Sequence, residues 1–568
     1  MRFLTAAILF VVSALLILVG IAQRTVWHPP ANHIQAIQVE EKTPLIVLKA
    51  SALQKFPGNP IVQVKTTGKA FIAAGRQADV DAWVGSTNHV VVTGLSGDAP
   101  TQLLASVVNG SGKLANPAGS DLWRAEVNSV GDLSTRVKLV DKTAVLIASD
   151  GFADAPTSIA ITWPIVFDPT SSNVLIIFGG VLLLAAVILN WLAWYQMRKE
   201  RGPRRRTPRA PQGPKMRRRR NRSSAPVRGR RSARNLSVAV AGLVVAGSLT
   251  GCSTQPGQAG ASPSSSGATS ILQPPVVTEA QLSVVVKRIA SVVAVADASR
   301  DSKVLASRVS GPAYDSRKAH YILQKASKKI GKLPAIATQQ LSLVLPAATN
   351  LWPRTVMAIT STGVAGDLPQ MLVLQQKTPR SQYMLWYNIG MLPGAKLPVV
   401  NTAAVGAIPV AADSLFLKIA PDALPTAFGD LIDKGSSSLS APMFDVTNDE
   451  YYQQIAASQQ SQATNLNNAT IKMKHLLGNP NVISLSTVNS GALVAVFMND
   501  KYVIKPKDRT QAVAVSGSEK LLLGAAGSPT GIKSFYGTML LFYVPAIASK
   551  DKIKTLGATQ VLLSVKSM

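Results

Sequence analysis

Cys252 is the only cysteine among the chain's 568 residues, and its neighbours give that thiol a specific chemistry. Leu249, Thr250, Gly251 and Cys252 are an aliphatic residue, two small residues and then the thiol. A thiol so placed can take a diacylglyceryl group, and a peptidase that needs small residues can then cut just before it. A single cysteine excludes an internal disulfide framework and any multi-cysteine metal site. Other reactive side chains offer less. Tyr314, Asp315, Arg317, Lys318 and His320 form the densest polar cluster; on a helix Arg317 shares a face with His320, and Tyr314 with Lys318. That cluster reads as a solvated helix face. His28, His33 and His89 lack metal-ligand spacing, and His475, beside Lys472 and Lys474 with no acidic neighbour, reads as exposed. No zinc motif, nucleophile elbow or pair of glycosidase carboxylates stands out. No catalytic residue, metal or cofactor is therefore assigned.

The charge shows how such a thiol is positioned. The net charge is +30, yet residues 1–197 carry 13 basic and 12 acidic side chains. Residues 198–235 carry 17 basic against one acidic, and residues 236–568 carry 29 against 16. The dense block, with Arg198, Arg204, Arg205, Arg206, Arg217, Arg218, Arg219, Arg220, Arg230 and Arg231, contains almost nothing that could build a core. Its composition is that of a disordered linker over 196–235. It has no interleaved aromatics, so nucleic acid is not expected as a partner. Its role is electrostatic: it fixes topology and lies against anionic lipid headgroups, at roughly 1 kcal/mol per basic residue near the surface.

Phe3 to Ala22 is uncharged and long enough to span about 30 Å of hydrocarbon. Residues 1–22 read as an uncleaved anchor, with a cleavable signal peptide as the competing reading. Val174 to Tyr195 is a second span, over 173–195, closed by Trp191, Trp194 and Tyr195 and followed at once by Arg198 and Lys199. The positive-inside rule keeps the arginines cytoplasmic and turns residues 23–172 outward. Leu236 to Ser248 is a shorter apolar run, the length of a signal-peptide core. With the basic region before it and the Ser/Gly/Pro-rich stretch after it, the segment 236–252 resembles the signal and lipobox of a bacterial lipoprotein, set in mid-chain. The resemblance implies lipidation at Cys252 and an extracytoplasmic 253–568. The competing reading is a short third helix with an incidental cysteine.

Between the spans, short alternating runs such as PLIVLKA, HVVVTGL and SIAITW are separated by turn formers. They predict an all-β, sandwich-like exterior domain whose core Trp83 and Trp123 anchor, with a helical piece only at 101–108. Residues 253–277 read as a flexible tether. Beyond it, Thr278 with Gln281 forms a capping box. Helices then precede a run of strands, twice over, predicting two α+β domains at 278–421 and 422–568. These resemble nuclear-transport-factor-like rolls, and the whole chain resembles uncharacterised actinobacterial envelope lipoproteins.

The expectation is a multi-domain membrane protein of the bacterial cell envelope, anchored by two spans and a diacylglyceryl group. It would bind or scaffold envelope polymers or proteins without catalysis. Two alternatives stand beside it: an enzyme acting on an envelope polymer through a roll pocket, and a sensor whose basic cytoplasmic segment is the output. Deleting Arg204–Arg220 separates the roles of the block. A topology signal predicts failed or inverted insertion, scored by protease accessibility of residues 23–172; a sensor output predicts normal insertion with a lost downstream response.

Overall fold

The structure, a computed structural model, describes residues 2–27, 32–94, 103–164, 170–200, 273–466, 468–478, 481–508 and 510–568. Two units emerge: one built on residues 1–28 and 168–270, the other on 29–167 together with 271–568.

In the first unit, helices Arg2–Thr25 and Thr170–Glu200 are each long and apolar enough to cross a membrane. They pack antiparallel. A Cβ on Gly20 would stand 2.7 Å from the Ile176 side chain, and one on Gly179 would stand 2.7 Å from Ile17. Small residues at these two points let the backbones close together, the usual way helices associate where lipid supplies no hydrophobic drive. Arg24 closes one end of the pair, its Nε donating to Ser172 Oγ at 3.2 Å.

In the second unit, residues 32–164 form two sheets packed face to face. Strands Asn32–Gln38, Ser158–Pro164, Ile61–Lys65 and Leu133–Arg136 make the first sheet in that order. The second runs Leu103–Ser111, Thr87–Gly94, Leu45–Leu48, Thr143–Ala148, Lys69–Arg76, Ala125–Val130. Ile37, Val62, Ile72, Val145, Ile159 and Trp163 fill the space between them. Alternate residues of the second sheet point the other way, where Leu45, Val47, Phe71 and Leu146 pack with Trp83 and Trp123. Its central strands Leu45–Leu48, Thr143–Ala148 and Lys69–Arg76 are therefore buried on both faces, which explains the unbroken apolar runs in two of them. The all-β expectation needs two corrections. Leu45–Leu48 pairs parallel to Thr87–Gly94, and helix Gln77–Val84 covers the outer face. The expected helical piece at 101–108 is instead, from Leu103, an edge strand. Its apolar residues fall at 103, 104, 107 and 108, which imitates helical spacing, but pairing with Thr87–Gly94 decides its conformation.

Residues 273–568 show helices followed by strands, twice. Helices Glu279–Ser299 and Gly311–Ala326 precede an antiparallel sheet of Gln340–Pro346, Arg354–Ser361, Gln370–Gln376 and Met384–Gly390. Helices Leu424–Lys434 and Glu450–Asn465 precede a second antiparallel sheet of Ala469–Leu477, Ala492–Pro506, Ile532–Val544 and Lys554–Ser567, with Ile483–Ser486 also pairing to the second of these strands. The capping box forms as the sequence predicts: Gln281 N–H donates to Thr278 Oγ1 at 3.3 Å, and Thr278 N–H to Gln281 Oε1 at 3.2 Å. The two α+β segments do not close separate cores. Val356, Leu372 and Tyr387 of the first sheet share one apolar cluster with Leu493, Phe497 and Leu541 of the second. The opposite face of the second sheet packs Val494, Leu540 and Phe542 under Phe428 and Phe444.

Trp163 tests the sandwich core. Its ring is fully buried against Phe56 at 5.2 Å, and its Nε1–H donates to Leu53 O at 2.8 Å. Trp163→Ala should destabilise the unit by about 3–5 kcal/mol, read from urea or thermal unfolding.

Candidate functional site

The most concentrated buried charge in the described residues lies along the seam between 32–164 and 273–568. Asp121 sits in the turn before Trp123, and its side chain has no exposed surface. Its Oδ2 accepts from Arg308 Nη1 at 2.6 Å and from the Tyr383 backbone N–H at 2.9 Å. Its Oδ1 accepts from Arg288 Nη1 at 3.1 Å and Arg308 Nη2 at 3.3 Å. Four donors occupy both oxygens, which is what a buried carboxylate needs to remain charged. All four come from residues beyond 273.

A second carboxylate repeats the arrangement. Asp79 lies in the first turn of helix Gln77–Val84, where a negative charge suits the helix dipole. Arg76 grips it through Nε at 2.8 Å and Nη2 at 2.7 Å, and Arg354 Nη2 stands 2.8 Å away as an ion pair. Arg354 is fully buried, with its Cζ over the Trp352 ring at 3.7 Å from the centroid. Burial pushes the Arg354 guanidinium below its ordinary value, and Asp79 pulls it back up. Arg76 also reaches across the seam, donating to Pro275 O at 2.9 Å. Arg380 makes the third anchor. It donates through Nε to Trp83 O at 2.7 Å, through Nη2 to Val84 O at 3.0 Å and Thr87 Oγ1 at 2.7 Å, and through Nη1 to Lys113 O. Beside these anchors a groove of about 450 Å³ is lined by Trp123, Glu126, Lys138, Thr278, Val284 and Arg288.

A different polar network lies inside the last sheet and corrects the reading of His475 as exposed. His475 is buried, with Nδ1 2.7 Å from Asp500 Oδ1 and Nε2 2.8 Å from Gln459 Nε2. Nε2 also lies 3.6 Å from Asp433 Oδ1. Asp500 Oδ2 accepts from Thr538 Oγ1 at 2.5 Å and Gln560 Nε2 at 3.0 Å. Burial pushes the nearby Asp433 carboxyl up, with His475 opposing, and burial beside Asp500 pushes the Tyr502 phenol up to about 12. The arrangement has the residue types of a general-base dyad, but both ring nitrogens and both Asp500 oxygens are engaged within the protein. Gly429 seals it: a Cβ there would lie 3.0 Å from the His475 Cβ.

The polar cluster read from sequence does not converge. Arg317 is buried, not solvated: its Nη1 donates to Asp297 at 2.6 and 2.9 Å, and Nη2 to Pro334 O at 2.9 Å. His320 turns to Gly331 O at 2.8 Å. Asp315 and Lys318 face a cleft of about 470 Å³ with Phe497 and Asn499, where burial raises the Asp315 carboxyl. Of the predicted membrane-surface residues, Arg198 lies at the end of the second apolar helix with its guanidinium 3.7 Å over the Trp194 ring. Arg204, Arg205, Arg206, Arg217–Arg220, Arg230, Arg231 and the segment Leu249–Cys252 lie outside the described residues. Sequence reasoning missed Asp79, Asp121, Arg308, Arg354 and Arg380. The available signal was an arginine opening a mostly apolar strand at Arg354, and an aspartate two residues before a core tryptophan.

The family described as a domain of unknown function (DUF8094) matches residues 273–566, more than half of the chain, and the chain belongs to it. No curated protein matches the chain, and neither does any solved structure. The family segment is thus the partner that contributes Arg288, Arg308, Arg354 and Arg380 to the seam.

Asp121→Ala leaves buried guanidinium charge without its counter-ion and should destabilise the unit by about 3–5 kcal/mol in urea unfolding. Asp81→Ala, which removes the more exposed pair with Lys49, is the comparison and should cost at most about 1 kcal/mol.

Proposed function

We propose that the protein is a membrane- and lipid-anchored cell-envelope protein that binds or scaffolds partners in envelope assembly or export, without catalysis. The observation that carries the reading is the docking of residues 32–164 on 273–568. Docked segments share one side of a membrane. The helix Thr170–Glu200 between them is long enough to cross it once. A second crossing is then needed before residue 273, and the apolar run 236–248 is the part of the intervening sequence suited to it. That return sets Cys252 at the membrane face shared by both docked segments, where a diacylglyceryl group would hold it. The arginine block between the two crossings falls on the opposite, cytoplasmic side, in contact with anionic headgroups. In this reading the likeness to actinobacterial envelope lipoproteins extends to both halves.

The His475–Asp500 network, whose acid–base atoms have internal partners, reads as structural. Partners would meet the outer surfaces of the docked unit, whose mild basic excess suits anionic envelope polymers.

Tags at both ends, compared between the wild type and Cys252→Ala, test this. The wild type should give two products, with the carboxy-terminal one labelled by fatty acid, and the variant a single uncleaved chain. One full-length, unlabelled wild-type band would overturn the lipoprotein reading.

A further inference from the structure

We propose that the seam is a complete interface between two polypeptides, so that residues 273–568 stay bound to residues 32–164 after the chain between them is cut. The inference deepens the processing reading of Cys252 and rests on it for its cellular setting; the seam geometry stands independently.

Three observations carry it. First, the apolar cores do not run through the seam. Residues 32–164 hold two clusters of their own and residues 273–568 hold two others, with Trp352 the residue that packs across. A domain folded as one body has a continuous core, whereas separately folded bodies meet through arginine, aromatic and main-chain contacts. Second, charge pairs cross the seam. The buried carboxylates Asp79 and Asp121 belong to the first segment; Arg288, Arg308 and Arg354 reach them from the second, while Arg76 of the first segment shares Asp79. Complementary charge fixes register between partners and rejects wrong ones. Third, Arg380 completes the first segment from outside, since Trp83 O and Val84 O are end carbonyls of helix Gln77–Val84. The partner that fits this face of residues 32–164 is therefore a domain offering spaced guanidinium groups, and the chain's own carboxy-terminal fragment offers them.

The test is a cut-and-wash experiment on the full chain in membranes. Cys252→Ala removes the lipid, and a protease site inserted between Gly260 and Ala261 allows the chain to be cut beyond every apolar run. After cutting, the carboxy-terminal fragment has only the seam to hold it. It should remain with the membrane through a wash in roughly 0.5 M salt, because buried pairs are screened little. Asp121→Ala should raise the released fraction about tenfold or more. Arg380→Ala should act in the same direction while leaving no buried carboxylate unpaired, which guards against Asp121→Ala merely unfolding its domain; circular dichroism of the released fragment checks its fold. Release of the fragment with the seam intact would overturn the inference, as would retention unchanged by both substitutions. A wild-type Cys252 chain that stays single and unlabelled sinks the processing reading instead, and leaves the cut-and-wash result standing.

Discussion

Asp121 is the constraint on which the second unit depends. A carboxylate with no exposed surface is stable only while donors surround it, and its donors come from three separate places in the later sequence. Arg288 projects from the long helix Glu279–Ser299, Arg308 follows the turn Ser302–Leu305, and the Tyr383 N–H precedes strand Met384–Gly390. One side chain thus sets the position of two helices and a sheet against the β segment. Gln281 shows how far this reaches. The residue that completes the capping box of its helix also donates Nε2 to Leu122 O at 3.1 Å, so the helix start and the seam are fixed together.

Asp79 and Arg354 extend the same logic to the second sheet of the β segment. The arginine brings Trp352 with it, and that ring packs on the cluster that holds Trp83 and Trp123. Trp352 thus adds to the cover that helix Gln77–Val84 lays over the central strands of that sheet. The pair of long apolar helices obeys the opposite rule. Its helices hold together through the absence of side chains at Gly20 and Gly179, with Arg24 pairing at one end.

What was legible in the sequence follows the range of the interactions. The two apolar helices, the Thr278 capping box and the alternating strands all depend on neighbours within a few residues, and all are visible locally; the burial of Trp83 and Trp123 is legible from residue type. Arg308 and Asp121 are 187 residues apart, and no periodicity announces their meeting. His475 misleads for the same reason. Its sequence neighbours are lysines on the alternate face of a strand, while its carboxylate partner Asp500 faces it from the adjoining strand. Arg317 reads as solvated because helical spacing shows only its own helix and not Asp297. The order of helices and strands in the two α+β segments is legible, but repetition of element order carries no information about whether two sheets share a core.

Arg380 gives these contacts a meaning in terms of supply. Without it, the last turn of helix Gln77–Val84 must leave its carbonyls to solvent, and the Trp83 face stands open beside them. Made without its counterpart, the segment 32–164 would thus display an unfinished helix end and an apolar, aggregation-prone surface. Were the chain cut as proposed, encoding both sides on one polypeptide would deliver them in equal number, at one place and at one time. Stoichiometry, which separate genes must regulate, would then be built into translation itself.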